Sequence, residues 1–222
     1  MSTQAAPQTV TVTLDHRELH RLLQGCFAGV GLSAGDADAV ATVLVDANLC
    51  GIESHGVERA PIYMKRVTEG LAHGTEGATV VFDAGAICRV DAGHALGPAI
   101  SIQAIDRAVE MAATHGIGLV AVGRSTHFGH AGFYVRRAAD RGMIAMAASN
   151  APATMAPHGA AEPFLGANPL AIGVPLDGDL QFVLDFSTSV IARGRIRRAN
   201  ALRLELEPGT AIDADGLPTT DP

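Results

Sequence analysis

The chain has 222 residues, 48% hydrophobic and 18% charged, which is enough to bury a substantial core and argues against disorder. A formal net charge of -7, with no basic cluster longer than Arg193 to Arg198, argues against a nucleic-acid footprint. Three widely spaced cysteines, Cys26, Cys50 and Cys88, fit buried thiols in a reducing compartment better than a disulfide framework or a zinc site.

The N-terminus has no basic region followed by an apolar run, and no apolar stretch reaches membrane-spanning length. A cytoplasmic protein without membrane or nucleic-acid partners is expected. After a polar tail and an alternating stretch over 9–14, Asp15 opens a helix to about Ala28 carrying Leu19, Leu22, Leu23 and Phe27. Ser33 caps a second helix, in which Val40, Val43, Leu44 and Ala47 share one buried face. That helix delivers GIESHGVERAPIY, residues 51–63. If the segment is helical, His55, Arg59 and Tyr63 stand four apart on one face, although Pro61 makes the turn before it irregular. A solvated helix start capped by Ser54, with Arg59 in water, remains the alternative.

Helical pattern continues to about Thr68. Runs at 78–82 and 87–90 read as strands, Pro98 opens a helix to about His115, and Gly116 stops it. The runs at 118–123 and 143–148 read as strands buried on both faces, with a helix over 133–141 between them. Further runs at 170–174 and 182–186 extend the sheet, so an α/β layered core is expected behind a helical N-terminal region. The expected division is a helical region over 1–75, an α/β core over 76–190, and an irregular, incomplete portion over 191–222.

No G-x-G-x-x-G links a strand to a helix, and Gly116-Ile117-Gly118 precedes a strand, so the usual dinucleotide-binding scheme is absent. The loop STHFGHAGFY, residues 125–134, follows a strand, where α/β proteins place ligands. Within it His127 is a candidate proton carrier, while His127 with His130 is a weak metal pair lacking a nearby carboxylate or cysteine. A proline-rich loop opens the third constellation, SNAPATMAPHGAAEPFLGANPLAIGVP, and LDFSTS ends a strand at Asp185, a ribose ligand or a cap.

Five runs together, GIESHGVERAPIY, STHFGHAGFYVRRAADRGMIAMAASN, APHGAAEPFLGANPLAIGVP, VLDFSTS and DGLPTTDP, resemble the malate/L-lactate dehydrogenase family of NAD(P)-dependent oxidoreductases. The resemblance implies a non-Rossmann α/β fold, NAD or NADP as cofactor, a homodimer or larger assembly, and a small 2-oxo or 2-hydroxy acid as substrate. It implies catalytic roles for Ser54, His55, Arg59 and His127, and substrate contacts from Arg59 and Tyr63. Cofactor contacts are implied for His127, Asn150, Ala151, Asp185, Phe186 and Ser187. The chain departs from the family pattern at Ala160, where a second glycine is usual, and at Arg195, where a lysine is usual. The family also continues well past TTDP, which implies that the sequence is incomplete.

Reducing a 2-oxo acid by hydride creates an alkoxide, so the site needs a proton donor at the carbonyl oxygen and a cation for the carboxylate. Histidine and arginine suit these tasks. His55, Arg59 and His127 all remain candidates for the proton. A metal-dependent hydrolase built on His127, His130 and His158, with no metal called by the resemblance itself, is the alternative of a different class, and a non-catalytic fragment is a third.

Overall fold

The computed structural model describes residues 12–222, and the first half of the alternating stretch expected over 9–14 lies outside them. The elements in order are α1 (His16–Gly29), α2 (Ala34–Leu49), α3 (Ala60–Thr68), β1 (Thr79–Asp83), β2 (Ile87–Asp91), α4 (Gly97–His115), β3 (Leu119–Gly123), α5 (Gly132–Ala139) and β4 (Ala145–Ala148). They continue with β5 (Ala153–Met155), β6 (Leu165–Gly166), β7 (Leu170–Pro175), β8 (Gln181–Phe186), α6 (Arg193–Leu202), β9 (Ala211–Ile212) and β10 (Pro218–Thr219). The chain divides into two compact units, one of residues 15–147 and 171–185, the other of 12–14, 148–170 and 186–222.

Local chemistry sets the helix starts of the larger unit. The Asp15 carboxylate accepts the Arg17 and Glu18 amides at 2.8 and 3.3 Å, and Ser33 Oγ accepts the Asp36 amide at 3.1 Å. Helix α2 is the centre of the helical layer: Val40, Val43, Leu44 and Ala47 have no exposed surface, and Leu23, Phe27, Ala60, Tyr63 and Leu96 close around it. Leu22, expected inside, is exposed, because the buried stripe of α1 runs through Leu23 and Phe27. Asp36 is buried in α2, where it accepts hydrogen bonds from Ser33 Oγ, the Thr75 amide and Thr75 Oγ1 at 3.0, 2.9 and 2.8 Å.

Sheet one has the order β1-β2-β3, with β1 antiparallel and β3 parallel to β2, and α4 crosses between the parallel pair. Cys88, Val90, Ile100 and Met111 form the core between this sheet and α4. The runs at 170–174 and 182–186 do not extend that sheet; they form a second one, of order β4-β7-β8, whose β4 and β7 pack on α5 through Val135, Ala145 and Ala171. Strands β3 and β4 are also not buried on both faces. Their residues alternate between half-buried and exposed, because one helix covers one face of each strand and the other face is open among the described residues.

In the smaller unit, the loop expected after Ser149 contains the antiparallel pair β5–β6, and β9 pairs with β10. The basic stretch expected to be irregular is helix α6, in keeping with the helix preference of Arg, Ala and Leu. All three cysteines are free, but only Cys88 is buried, so the expectation of three buried thiols holds for that one alone. No described helix is long and apolar enough to cross a membrane.

Candidate active site

The segment after α2 is not one continuous helix. Two 3-10 turns, Glu53–His55 and Val57–Arg59, flank Gly56 and lead into α3, with Pro61 in its first turn where the missing amide costs nothing. Asn48, in the last turn of α2, fixes this bend: its Oδ1 accepts the Val57 amide at 2.7 Å. A Cβ at position 56 would stand 2.2 Å from that oxygen, so only glycine fits there. Asn48 escaped the sequence reading because its signal is a contact nine residues away with no motif of its own.

Ser54 Oγ lies 3.0 Å from His55 Nδ1. Arg59 Nε donates to the Ser54 carbonyl at 2.6 Å, which ties the guanidinium to the same turn. The bend therefore preserves the cluster that a helix was expected to make, by a different backbone route.

The loop after β3 brings His127 to this cluster. Thr126 Oγ1 accepts the Gly97 amide at 2.9 Å, and a Cβ on Gly97 would come within 2.4 Å of the His127 carbonyl oxygen, so the first turn of α4 seats the loop directly. The His55 and His127 rings stack with centroids 5.3 Å apart. Tyr63, buried in α3, donates its hydroxyl to His127 Nδ1 at 2.5 Å. The Gly129 amide donates to the same nitrogen at 3.2 Å. Two donors on one lone pair place the proton of the neutral ring on Nε2.

Burial, followed by the charges of Arg59 and His130, lowers the His55 pKa to about 4. Crowding by protein, with His55, Arg59 and Arg66 nearby, also lowers that of His127. His127 is nonetheless an exposed residue, which limits the effect. Burial raises the Tyr63 pKa, so its phenol stays protonated and remains a donor. Ser54, His55, Arg59, Tyr63 and His127 thus form one neutral-imidazole site with a fixed cation beside it.

His130 turns away from His127. Its Nε2 lies 2.7 Å from Asp46 Oδ2, and its Nδ1 faces Asp185 Oδ2 at 3.8 Å. The Asp185 carboxylate also accepts the Gly132 amide at 2.7 Å. The two histidines take different partners, His158 lies exposed in the other unit, and no group of three His, Cys, Asp or Glu side chains converges among the described residues. The hydrolase reading loses its geometric basis.

Of the residues expected at a cofactor, Asn150, Ala151, Phe186 and Ser187 lie in the smaller unit. There the Ala151 amide donates to Asn168 Oδ1 at 2.9 Å, the Ser149 amide to the Pro169 carbonyl at 3.2 Å and the Thr188 amide to the Ala167 carbonyl at 2.9 Å. The segments after β4 and β8 are thus both tied to residues 167–169. Ser187 Oγ lies 3.2 Å from Ser189 Oγ. A cavity of about 550 Å³ lies elsewhere, lined by His20, Thr42, Leu49 and Phe133, and does not include the stacked histidines.

A family profile described as malate/L-lactate dehydrogenase matches residues 14–222. The chain belongs to that family. It is 40% identical over 207 residues to the (2R)-3-sulfolactate dehydrogenase (NADP(+)) of Chromohalobacter salexigens, covering 93% of this chain and 62% of the relative. The sulfolactate dehydrogenase structure from Methanocaldococcus jannaschii superposes with a TM-score of 0.86 at 34% identity, covering 94% of this chain and 60% of that one. The malate dehydrogenase structure from Entamoeba histolytica superposes with a TM-score of 0.92 at 29% identity, covering 96% and 59%. The chain therefore spans about three fifths of the length of these relatives. The α/β, non-Rossmann fold expected from the sequence is the fold of this family.

Proposed function

We propose that the chain carries the proton-handling and substrate-binding side of an NAD(P)-dependent oxidoreductase that interconverts small 2-oxo and 2-hydroxy acids. The observation that carries this reading is the stacked pair His55 and His127, with Arg59 tied to the turn that holds His55. Arg59 takes the substrate carboxylate through paired hydrogen bonds. His127, with its proton held on Nε2 by Tyr63 and Gly129, donates a hydrogen bond to the substrate oxygen and orients it. His55, backed by Ser54, carries the proton: its neutral ring accepts it from a hydroxy acid and returns it in the reverse direction. A bound carboxylate compensates the Arg59 charge, which raises the pKa of His55 and makes its imidazolium accessible for reduction.

The α/β portion, expected over 76–190, is proposed to hold the cofactor. Asn150, Ala151, Phe186 and Ser187 offer an amide, backbone groups, an aromatic face and a hydroxyl. That neutral donor set fits a nicotinamide carboxamide and a ribose better than a metal ion. When bound, the nicotinamide supplies or receives the hydride. For Asp185, the internal bond to Gly132 supports a structural role instead of a ribose contact. The names of the relatives support an acid such as sulfolactate or malate as substrate. Exposed apolar side chains such as Met146 and Phe182 support a homodimer or larger assembly. A cytoplasmic location fits the free cysteines.

The test is oxidation of NADH or NADPH by the full chain with a panel of 2-oxo acids, repeated with Arg59→Lys. The wild type turns over at least one acid, and the variant loses on the order of a hundredfold in kcat/KM, chiefly through KM. No oxidation with any acid overturns the proposal.

A further inference from the structure

Beyond the stacked histidines lies a second charged cluster, entirely within the larger unit. His130 is 5% exposed and sits three residues after His127 on the same loop. Its Nε2 reaches Asp46 of α2, and Asp46 Oδ2 is shared with Arg136 of α5. Its Nδ1 is buried without a hydrogen-bond partner and faces Asp185, the penultimate residue of β8, at 3.8 Å. Arg136 also donates to Cys50 Sγ at 3.0 Å, and the Phe133 ring packs edge-on against the imidazole. Three elements, α2, α5 and β8, thus meet at one imidazole on the loop.

Charge balance decides its state. With His130 protonated, two cations face two carboxylates and the cluster is neutral. With His130 neutral, Asp46 and Asp185 face Arg136 alone, and a partly buried carboxylate is left uncompensated. Burial opposes the charged ring, but the Asp185 and Asp46 carboxylates outweigh it, so the His130 pKa is raised. Both carboxylates are held below their usual range despite burial, chiefly by His130. The resulting imidazolium is also one of the charges that lower the pKa of His55.

We propose that His130 is a positioning residue: a protonated clasp between Asp46 and Asp185 that holds the His127 loop in place. This rests on the functional reading given above, but the clasp itself can be read without turnover. Its task is to place His127, since an error of about 1 Å in a reacting group can cost up to about a hundredfold in rate.

The experiment uses the full chain, with ring Cε1–Hε1 NMR titrations of the wild type, His130→Gln and Asp46→Asn, alongside kcat and KM against pH. In the wild type the His130 ring titrates above an ordinary histidine. Asp46→Asn moves that titration to lower pH. An unchanged His130 titration in Asp46→Asn overturns the clasp whether or not the chain turns over substrate. In the kinetic arm, the wild type loses kcat as pH rises through the His130 titration, and His130→Gln lacks this alkaline limb, with kcat lowered up to about a hundredfold and KM little changed. An alkaline limb that persists in His130→Gln also overturns it. Absence of turnover with the NMR shifts intact would instead tell against the functional reading alone.

Discussion

Substituting His55 tests the electrostatics of the site through stability alone. In the folded chain the His55 pKa is lowered from 6.5 to about 4. As pH falls below 6.5, the unfolded chain binds a proton at this ring that the folded chain refuses, so stability drops until the folded pKa is passed. At about pH 5 the difference between these two values amounts to roughly 2 kcal/mol, and below about pH 4 it levels off near 3 kcal/mol. His55→Gln cannot titrate and escapes this loss. Urea denaturation of wild type and variant at about pH 8 and about pH 5 measures it, with the carboxylates of Asp46 and Asp185 common to both proteins. The wild type loses about 2 kcal/mol more than the variant over that interval. Parallel losses would refute the claim that burial and Arg59 keep this ring neutral.

Tyr63→Phe removes one of the two donors to His127 Nδ1, a loss of about 1 kcal/mol in orienting the ring. Steady-state kinetics should show roughly a fivefold fall in kcat with the fold intact by circular dichroism. Asp36→Ala strands the Thr75 amide and should cost about 3 kcal/mol in urea denaturation; a loss under about 1 kcal/mol would contradict the bonding described. Gly25, inside α1 with nothing within 4 Å of an added Cβ, should accept alanine with a gain of about 0.5–1 kcal/mol. Gly118→Ala places that carbon 2.0 Å from the Ala108 carbonyl oxygen and should lower the melting temperature, at a cost of about 2 kcal/mol or more.

What the sequence made legible was local. The caps at Asp15 and Ser33 and the stop at Gly116 act within a few residues, and each was read correctly. The grouping of Ser54, His55, Arg59 and Tyr63 was visible by spacing, though the route between them was not, because Gly56 and Pro61 replace a helix with two tight turns. The partnership of His130 with Asp46 spans 84 positions and leaves no periodic trace, so it was invisible before the structure. The exposure of β3 and β4 was misread because an apolar run reports that a strand can be buried, not which layers are present to bury it. Helix α6 was missed since its apolar residues follow no helical stripe.

The packing of Gly97 on the His127 carbonyl bears on how the chain can be diversified. The main chain of the loop is seated on the main chain of the helix, and Tyr63 then sets the ring, so the loop's seat does not depend on the other side chains around the pocket. A mutational library aimed at new acids can vary those other positions while keeping His55, Arg59, Tyr63, His127 and His130, whereas codon 97 admits a single amino acid and should be left out of any such search.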